Sequence, residues 1–291
     1  MEEYFRPDYQ SPGEGIYAGV SEYAQLHNAK LELHYVDPAD QSLDGTSYSC
    51  IAALSEREWD GVILIYPFPQ GVVEEISVRF PLVSLVEQHD ARFGNCVDVD
   101  HYMGIASLMN QLVRLGHKQI GFFTKAYEVP AVWSFRRYGS YVEKIARLNW
   151  SLNPKNVANV APNLFDDLEG GYDFVANRIQ EGVTAWVCAA DHQAYDLIAA
   201  LKKRNIEVPK HASITGFDGI QKPKGMPQIT TAVIPYREIG FVGMRRLVEL
   251  VKKRFSAPQH ILVGCQICEG ETTGSSPASL KRVRKAEKAK Q

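Results

Sequence analysis

"AWVCAADHQAYDLIAALKKRNIEVPKHASITGFDG", residues 185–219, decides the fold. Its first six residues are an apolar run that reads as a buried strand. Asp191 closes that run. Ala194, Leu197, Ile198 and Leu201 then recur at helical spacing. Lys202, Lys203 and Arg204 stand at the negative end of that helix, where cations are favoured. After Pro209 comes a second buried strand, carried by Ile214, Thr215 and Phe217, with Gly216 letting the backbone pack closely. Asp218 ends it, next to Gly219. Strand, helix and strand in this order make two parallel strands joined by a crossover. Both strands end on a carboxylate, and in open α/β sheets ligands gather at the carboxyl ends of the strands. Each acid has a plainer reading when taken singly. Asp191 can cap its helix, and Asp218–Gly219 can make a turn. Two such acids in adjacent units favour a shared pocket.

The same alternation runs outward in both directions. "LELHYV" (31–36), "GVILIY" (61–66), "PLVSLV" (81–86) and "QIGFFT" (119–124) read as strands. Helical patterns precede the second and third of these. "GEGIYAGVSEYAQLHN" (13–28), "YMGIASLMNQLVRLG" (102–116), "FRRYGSYVEKIARLN" (135–149) and "REIGFVGMRRLVELVKKRF" (237–255) read as helices. Gly116 is suited to end the second. "HILVGCQICEG" (260–270) alternates like a strand. Alternation of this kind predicts parallel sheets covered by helices on both faces. More than eight strands in 291 residues predict two doubly wound lobes rather than one sheet.

Apolar residues make up 45% of the chain and charged residues 23%, a globular composition with ample core material. A net charge of −2 gives no global attraction to nucleic acid or to an anionic membrane surface. No apolar run is long enough to span a bilayer, and no export signal is visible. Five scattered cysteines in a chain of this size suit a reducing, cytoplasmic setting better than a disulfide scaffold. Cys265 and Cys268 form a C-x-x-C without a second pair at zinc spacing. Strand alternation turns their thiols to opposite faces, so no metal site is expected. The sequence holds no G-x-S-x-G elbow, P-loop, H-E-x-x-H or Gly-rich dinucleotide fingerprint. His101 and His192 are isolated, and no catalytic residue or cofactor is assigned.

Five segments, in order, resemble the LacI/GalR family of regulators. "VDVDHYMGIASLMNQLVRLGHKQIGFFT" is similar to the family's D-x-x-x-G helix, L-G-H turn and following strand. "RRYGSYVEKI" is similar to its R-x-x-G-F helix. "AADHQAYDLIAALKKRNIEVPKHASITGFDGI" is similar to its N-D, helix, V-P, G-F-D-D segment. "MPQITT" is similar to its P-x-L-T-T crossover, and "GETTGSSP" to its final R-x-S-T segment. The resemblance covers residues 4–277. It implies a periplasmic-binding-protein-like module, α/β, of two doubly wound parallel-sheet lobes joined by three crossovers. The first lobe would comprise residues 1–99 plus 235–260 and the second 100–234 plus 261–277, with 278–291 a basic, disordered tail. A sugar or related small metabolite would sit between the lobes.

Carried over residue by residue, Arg136 matches the Arg three before the helix glycine. Asp191 matches the Asp of N-D, and Asp218 the first Asp of G-F-D-D. Ionised carboxylates accept hydrogen bonds from hydroxyls, and Arg offers a fixed fork of donors. Glu87, just after a strand of the first lobe, is a facing candidate. Trp133, Phe68, Tyr9 and Phe165 are candidates to stack on an apolar sugar face, though each also suits a core or rim. The chain departs from the family at Ala190, at Gly219 in place of the second Asp, at Gly270 in place of an Arg, and in "IPYREIG".

The resemblance further implies a homodimer that senses a sugar-like effector. Contact with DNA would run only through a DNA-binding domain for which this chain has no matching segment. "EYF" is at best a stub of the family's first central strand, which suggests that Met1 is internal to a longer protein. A solute-binding protein of a sugar transport system is the alternative, and it predicts a leader or a lipid-anchor cysteine.

Overall fold

The computed structural model describes residues 11–36, 59–89, 94–126, 131–165, 167–253 and 257–277. Tyr9, the "EYF" stub, the basic tail and most of the segment before "GVILIY" lie outside them. In chain order the described elements are α1 (Pro12–Leu26), β1 (Val62–Ile65), α2 (Gln70–Arg79), β2 (Leu82–Leu85), β3 (Asn95–Val99), α3 (His101–Arg114), β4 (Ile120–Phe123), α4 (Val132–Arg147), β5 (Val157–Ala158), α5 (Leu168–Gln180), β6 (Ala185–Cys188), α6 (Asp191–Lys203), β7 (Ser213–Asp218), β8 (Thr230–Val233), α7 (Tyr236–Lys252), β9 (His260–Val263) and β10 (Gln266–Cys268).

The chain divides into two compact units. One comprises residues 1–99 with 235–263, the other 100–234 with 264–291. The chain therefore passes from unit to unit three times. The first unit holds a wholly parallel sheet in the order β1-β2-β3-β9. The second holds a sheet in the order β10-β8-β7-β6-β4-β5. It is parallel except for β10, which runs antiparallel to β8. The doubly wound α/β class read from the sequence is the class observed.

In the first unit α1 starts at Ser11, whose Oγ accepts from the Glu14 N–H at 3.2 Å, with Pro12 in the first turn. Ile16, Gly19, Val20 and Ala24 are its buried stripe. That stripe lies against α7 so closely that a Cβ at Gly19 would collide with the Arg237 carbonyl, and one at Gly240 with the Ile16 carbonyl. Leu64, Val72, Val73, Ile76 and Leu82 form a core cluster around β1, α2 and β2.

In the second unit Asp100 caps α3, its Oδ1 accepting from the Met103 N–H at 2.8 Å. Ile105, Leu108, Met109 and Leu112 are fully buried along one face. The helix ends in a Schellman motif at the L-G-H turn. Gly116 has φ +88, its N–H donates to the Val113 carbonyl, and the His117 N–H donates to the Leu112 carbonyl. The His117 ring is buried. Its Nε2 lies 2.9 Å from the Gly274 carbonyl, which can only accept. Nε2 therefore carries the proton, and Nδ1 accepts from the Thr184 hydroxyl at 2.8 Å. Ser213 Oγ adds a contact at 3.0 Å. One imidazole so ties together the end of α3, the starts of β6 and β7, and the final segment.

Two expectations need correction. "LELHYV" has no strand: residues 31–36 are irregular, with Leu33 and Tyr35 exposed at 48% and 85%. Alternation makes a strand only where a ladder partner and a core take up the apolar face. "HILVGCQICEG" is not one strand but two, β9 and β10, pairing with different sheets on either side of Gly264. Cys265 is half-buried and Cys268 exposed.

Candidate functional site

Backbone strain marks the carboxyl edges of the sheets. Seven described residues other than glycine have positive φ, and four of them are asparagines, which tolerate it. The other three are Tyr66, Val86 and Asp218, at φ 76°, 59° and 124°. Each stands at the carboxyl end of a parallel strand: β1, β2 and β7. Such conformations persist where the surroundings over-determine them, and they concentrate at binding sites.

At the end of β7 those surroundings are visible. The Asp218 carbonyl accepts from the Ile234 N–H at 3.1 Å. Its Oδ1 is 2.8 Å from Arg137 Nη1. The Arg137 guanidinium is itself buried. It donates from Nη1 to the Ala189 carbonyl at 2.5 Å and from Nε to His101 Nδ1 at 3.3 Å. Its Cζ lies 4.0 Å from the centre of the Phe217 ring and 4.8 Å from that of Trp133. Burial pushes the Asp218 carboxyl up from the ordinary carboxylate range, while the Arg137 charge and hydrogen bond pull it down.

Asp191 is the most enclosed acid of this edge, with 1% of its surface exposed. It does not cap α6, whose N-cap is Ala190. Its carboxylate turns toward β7 and β8. Oδ2 accepts from the N–H groups of Gly219 and Ile220 at 2.7 and 2.9 Å, and Oδ1 from the Thr231 hydroxyl at 2.6 Å. Gly216 makes room for it, since a Cβ there would collide with Oδ1. Burial, reinforced by the Asp218 charge, raises its pKa to about 7. Gly219 has φ +80, and a Cβ on it would sit 2.7 Å from Val233 Cγ1. An aspartate at that position would crowd β8.

The structure thus brings Asp191 and Asp218 to one edge, with Trp133 beside them through Arg137. Arg136, the arginine chosen from the sequence, is half-buried, and its carbonyl accepts from Ser140 Oγ at 2.7 Å. The partner of Asp218 is its neighbour Arg137. A signal for this lay in the helix phase. Ser134, Arg137, Tyr141 and Ile145 are all buried and recur every three or four residues, whereas Arg136 is turned about 100° away. Phe165 packs beside the second unit's core cluster, its ring 5.1 Å from Phe174. Glu87 and Phe68 belong to the first unit. Glu87 is buried just beyond β2, its carbonyl 3.3 Å from Cys96 Sγ. Phe68 packs beside the cluster around Leu64.

Among the described residues no three histidine, cysteine or acidic side chains are gathered as a metal set. No helix among them is long and apolar enough to cross a membrane.

Residues 109–273 match the model of the periplasmic binding protein-like domain. The chain belongs to that family. The periplasmic binding protein-like domain here also has sequence relatives among regulators. The HTH-type transcriptional regulator RegA of Clostridium saccharobutylicum is 28% identical over 228 residues, covering 77% of this chain and 67% of RegA. The HTH-type transcriptional repressor CytR of Escherichia coli K12 is 24% identical over 233 residues, covering 76% of this chain and 64% of CytR. The chain spans about two thirds of the length of these relatives. The fold is shared with the LacI family transcriptional regulator CCPA from Weissella paramesenteroides, solved with bound sucrose. The TM-score is 0.69 at 19% identity, over 91% of this chain and 94% of that one. Neighbours of the same fold have been solved with glucose, with ribose and as a CelR–cellobiose complex. The likeness to LacI/GalR regulators read from the sequence therefore holds.

Proposed function

We propose that this chain is the effector-sensing module of a transcriptional regulator and that its effector is a sugar or a related small metabolite. The observation that carries the reading is Asp218. It is an acid held in a strained conformation at the carboxyl end of β7, with a buried guanidinium beside it and aromatic faces nearby. A carboxylate and a fixed fork of N–H donors recognise adjacent hydroxyls, and an aromatic ring covers the apolar face of a sugar. Asp218, Arg137 and Trp133 are the contacts proposed in the second unit. Arg136, Phe165 and, from the first unit, Glu87 and Phe68 are subsidiary candidates. The sugars recorded with structural neighbours supply the probes.

The same reading includes a homodimer, a cytoplasmic setting and DNA recognition by a further domain of the full-length regulator. It includes no catalysis. The transport-protein alternative draws on the fold alone, whereas the regulator reading also has sequence relatives of that class. The test is a thermal-shift series with sucrose, glucose, ribose and cellobiose. A sugar at about 100 times its Kd stabilises the folded state by about 2.7 kcal/mol. A rise in melting temperature that Asp218→Asn abolishes supports the reading. A rise undiminished by Asp218→Asn moves the site elsewhere, and no response to any of the four removes the support for these sugars as effectors.

A further inference from the structure

We infer that Asp191 is a positioning residue: it fixes the backbone after Asp218 and does not itself contact the effector. Both of its carboxylate oxygens are already engaged, Oδ2 by the Gly219 and Ile220 N–H groups and Oδ1 by the Thr231 hydroxyl. Its surface is 1% exposed. The two amides it binds directly follow Asp218, the residue at φ 124°. A strained residue keeps its conformation only when its neighbours are fixed. Here the preceding strand fixes one side, and Asp191 fixes the other. Gly216, in the same strand, leaves the space the carboxylate occupies.

The role does not depend on the charge of Asp191. A hydroxyl both donates and accepts. Thr231 therefore donates to the ionised carboxylate and accepts from the protonated one, while Oδ2 keeps both amides in either state. Asp218 faces Asp191 and disfavours its negative charge, and the nearby Cys188 thiol is held uncharged by burial and by the Asp191 carboxylate. An asparagine at 191 reproduces the protonated form: its carbonyl serves the two amides and its NH2 donates to Thr231. A direct contact through a charged acceptor would not survive that change.

The test compares Asp191→Asn, Asp191→Ala and Asp218→Asn. Amide hydrogen exchange at Gly219 and Ile220, measured without any sugar, reads the turn alone. Asp191→Ala is expected to lose protection there by at least about tenfold, with β4 and β6 amides unchanged, whereas Asp191→Asn and Asp218→Asn keep it. The affinity arm rests on the sugar-sensing reading. For whichever of sucrose, glucose, ribose or cellobiose binds, Asp191→Asn should stay within about threefold of the natural chain, while Asp191→Ala and Asp218→Asn weaken binding by more than about tenfold. Unchanged exchange in Asp191→Ala would overturn the inference. So would an Asp191→Asn variant that keeps the turn but loses the sugar. If none of the four sugars binds, these sugars fail as effectors of the proposed site, and exchange still decides the role of Asp191.

Discussion

Replacing Arg137 by alanine removes the cation beside Asp218 and leaves the Ala189 carbonyl without its guanidinium donor. Breaking one side of a buried ion pair costs about 3–5 kcal/mol. Asp218 keeps 15% of its side chain exposed, so the loss is expected near the lower bound, read from urea denaturation. Arg137→Lys should fall between, because one ammonium cannot serve Ala189, His101 and Asp218 from the same fork. His117 gives a prediction of a different kind. Burial lowers its pKa below the ordinary 6.5, against a weaker opposing effect of the Gly274 carbonyl. The folded state therefore binds the proton less readily than the unfolded chain. The contribution of His117 is fully present above pH 6.5 and is lost as pH falls below it, levelling off beneath the folded pKa. Denaturant midpoints measured from pH 8 to 5 should show this acid limb, and His117→Gln should flatten it.

At the scale of elements, α1 and α7 meet backbone to backbone through Gly19 and Gly240. Gly19→Ala puts a methyl group into the Arg237 carbonyl. The helices must then separate, although alanine is the better helix former. Overpacking of this kind costs about 1–3 kcal/mol, so a loss of first-unit stability is expected where propensity alone predicts a gain. Much at this scale was legible beforehand. Helices with a buried stripe, such as α3, and strands buried along all or nearly all of their length, such as β6 and β7, announce themselves by period and apolarity. Asp191 and Asp218 were legible because each closes the apolar run that carries such a strand. Contacts between elements were not. "LELHYV" has the period of a strand but joins no ladder among the described residues, and "HILVGCQICEG" is one pattern shared by two sheets. The choice between Arg136 and Arg137 turns on the helix phase that buries Ser134, Tyr141 and Ile145, which the R-x-x-G spacing by itself does not contain. The role of Gly216 depends on an acid 25 residues earlier in the chain.

Across the whole molecule the described strands form two sheets, one in each unit, and the chain passes between the units three times. Chains built this way depart from a single two-state transition. The two units carry independent markers. Gly19→Ala acts in the first, among α1 and α7. A sugar held by Asp218 and Arg137 acts directly in the second. Calorimetry should therefore resolve two transitions. Gly19→Ala should lower one and leave the other in place, and the bound sugar should raise the one that Gly19→Ala does not touch. Asp218→Asn should remove the sugar's effect while leaving the Gly19→Ala effect intact, since sites that share no partners act additively. A single transition moved by every one of these changes would mean that the units unfold together. The stabilisation of the second unit by sugar would then extend to the first, which is the coupling that a sensing module needs if binding is to be felt beyond its own site.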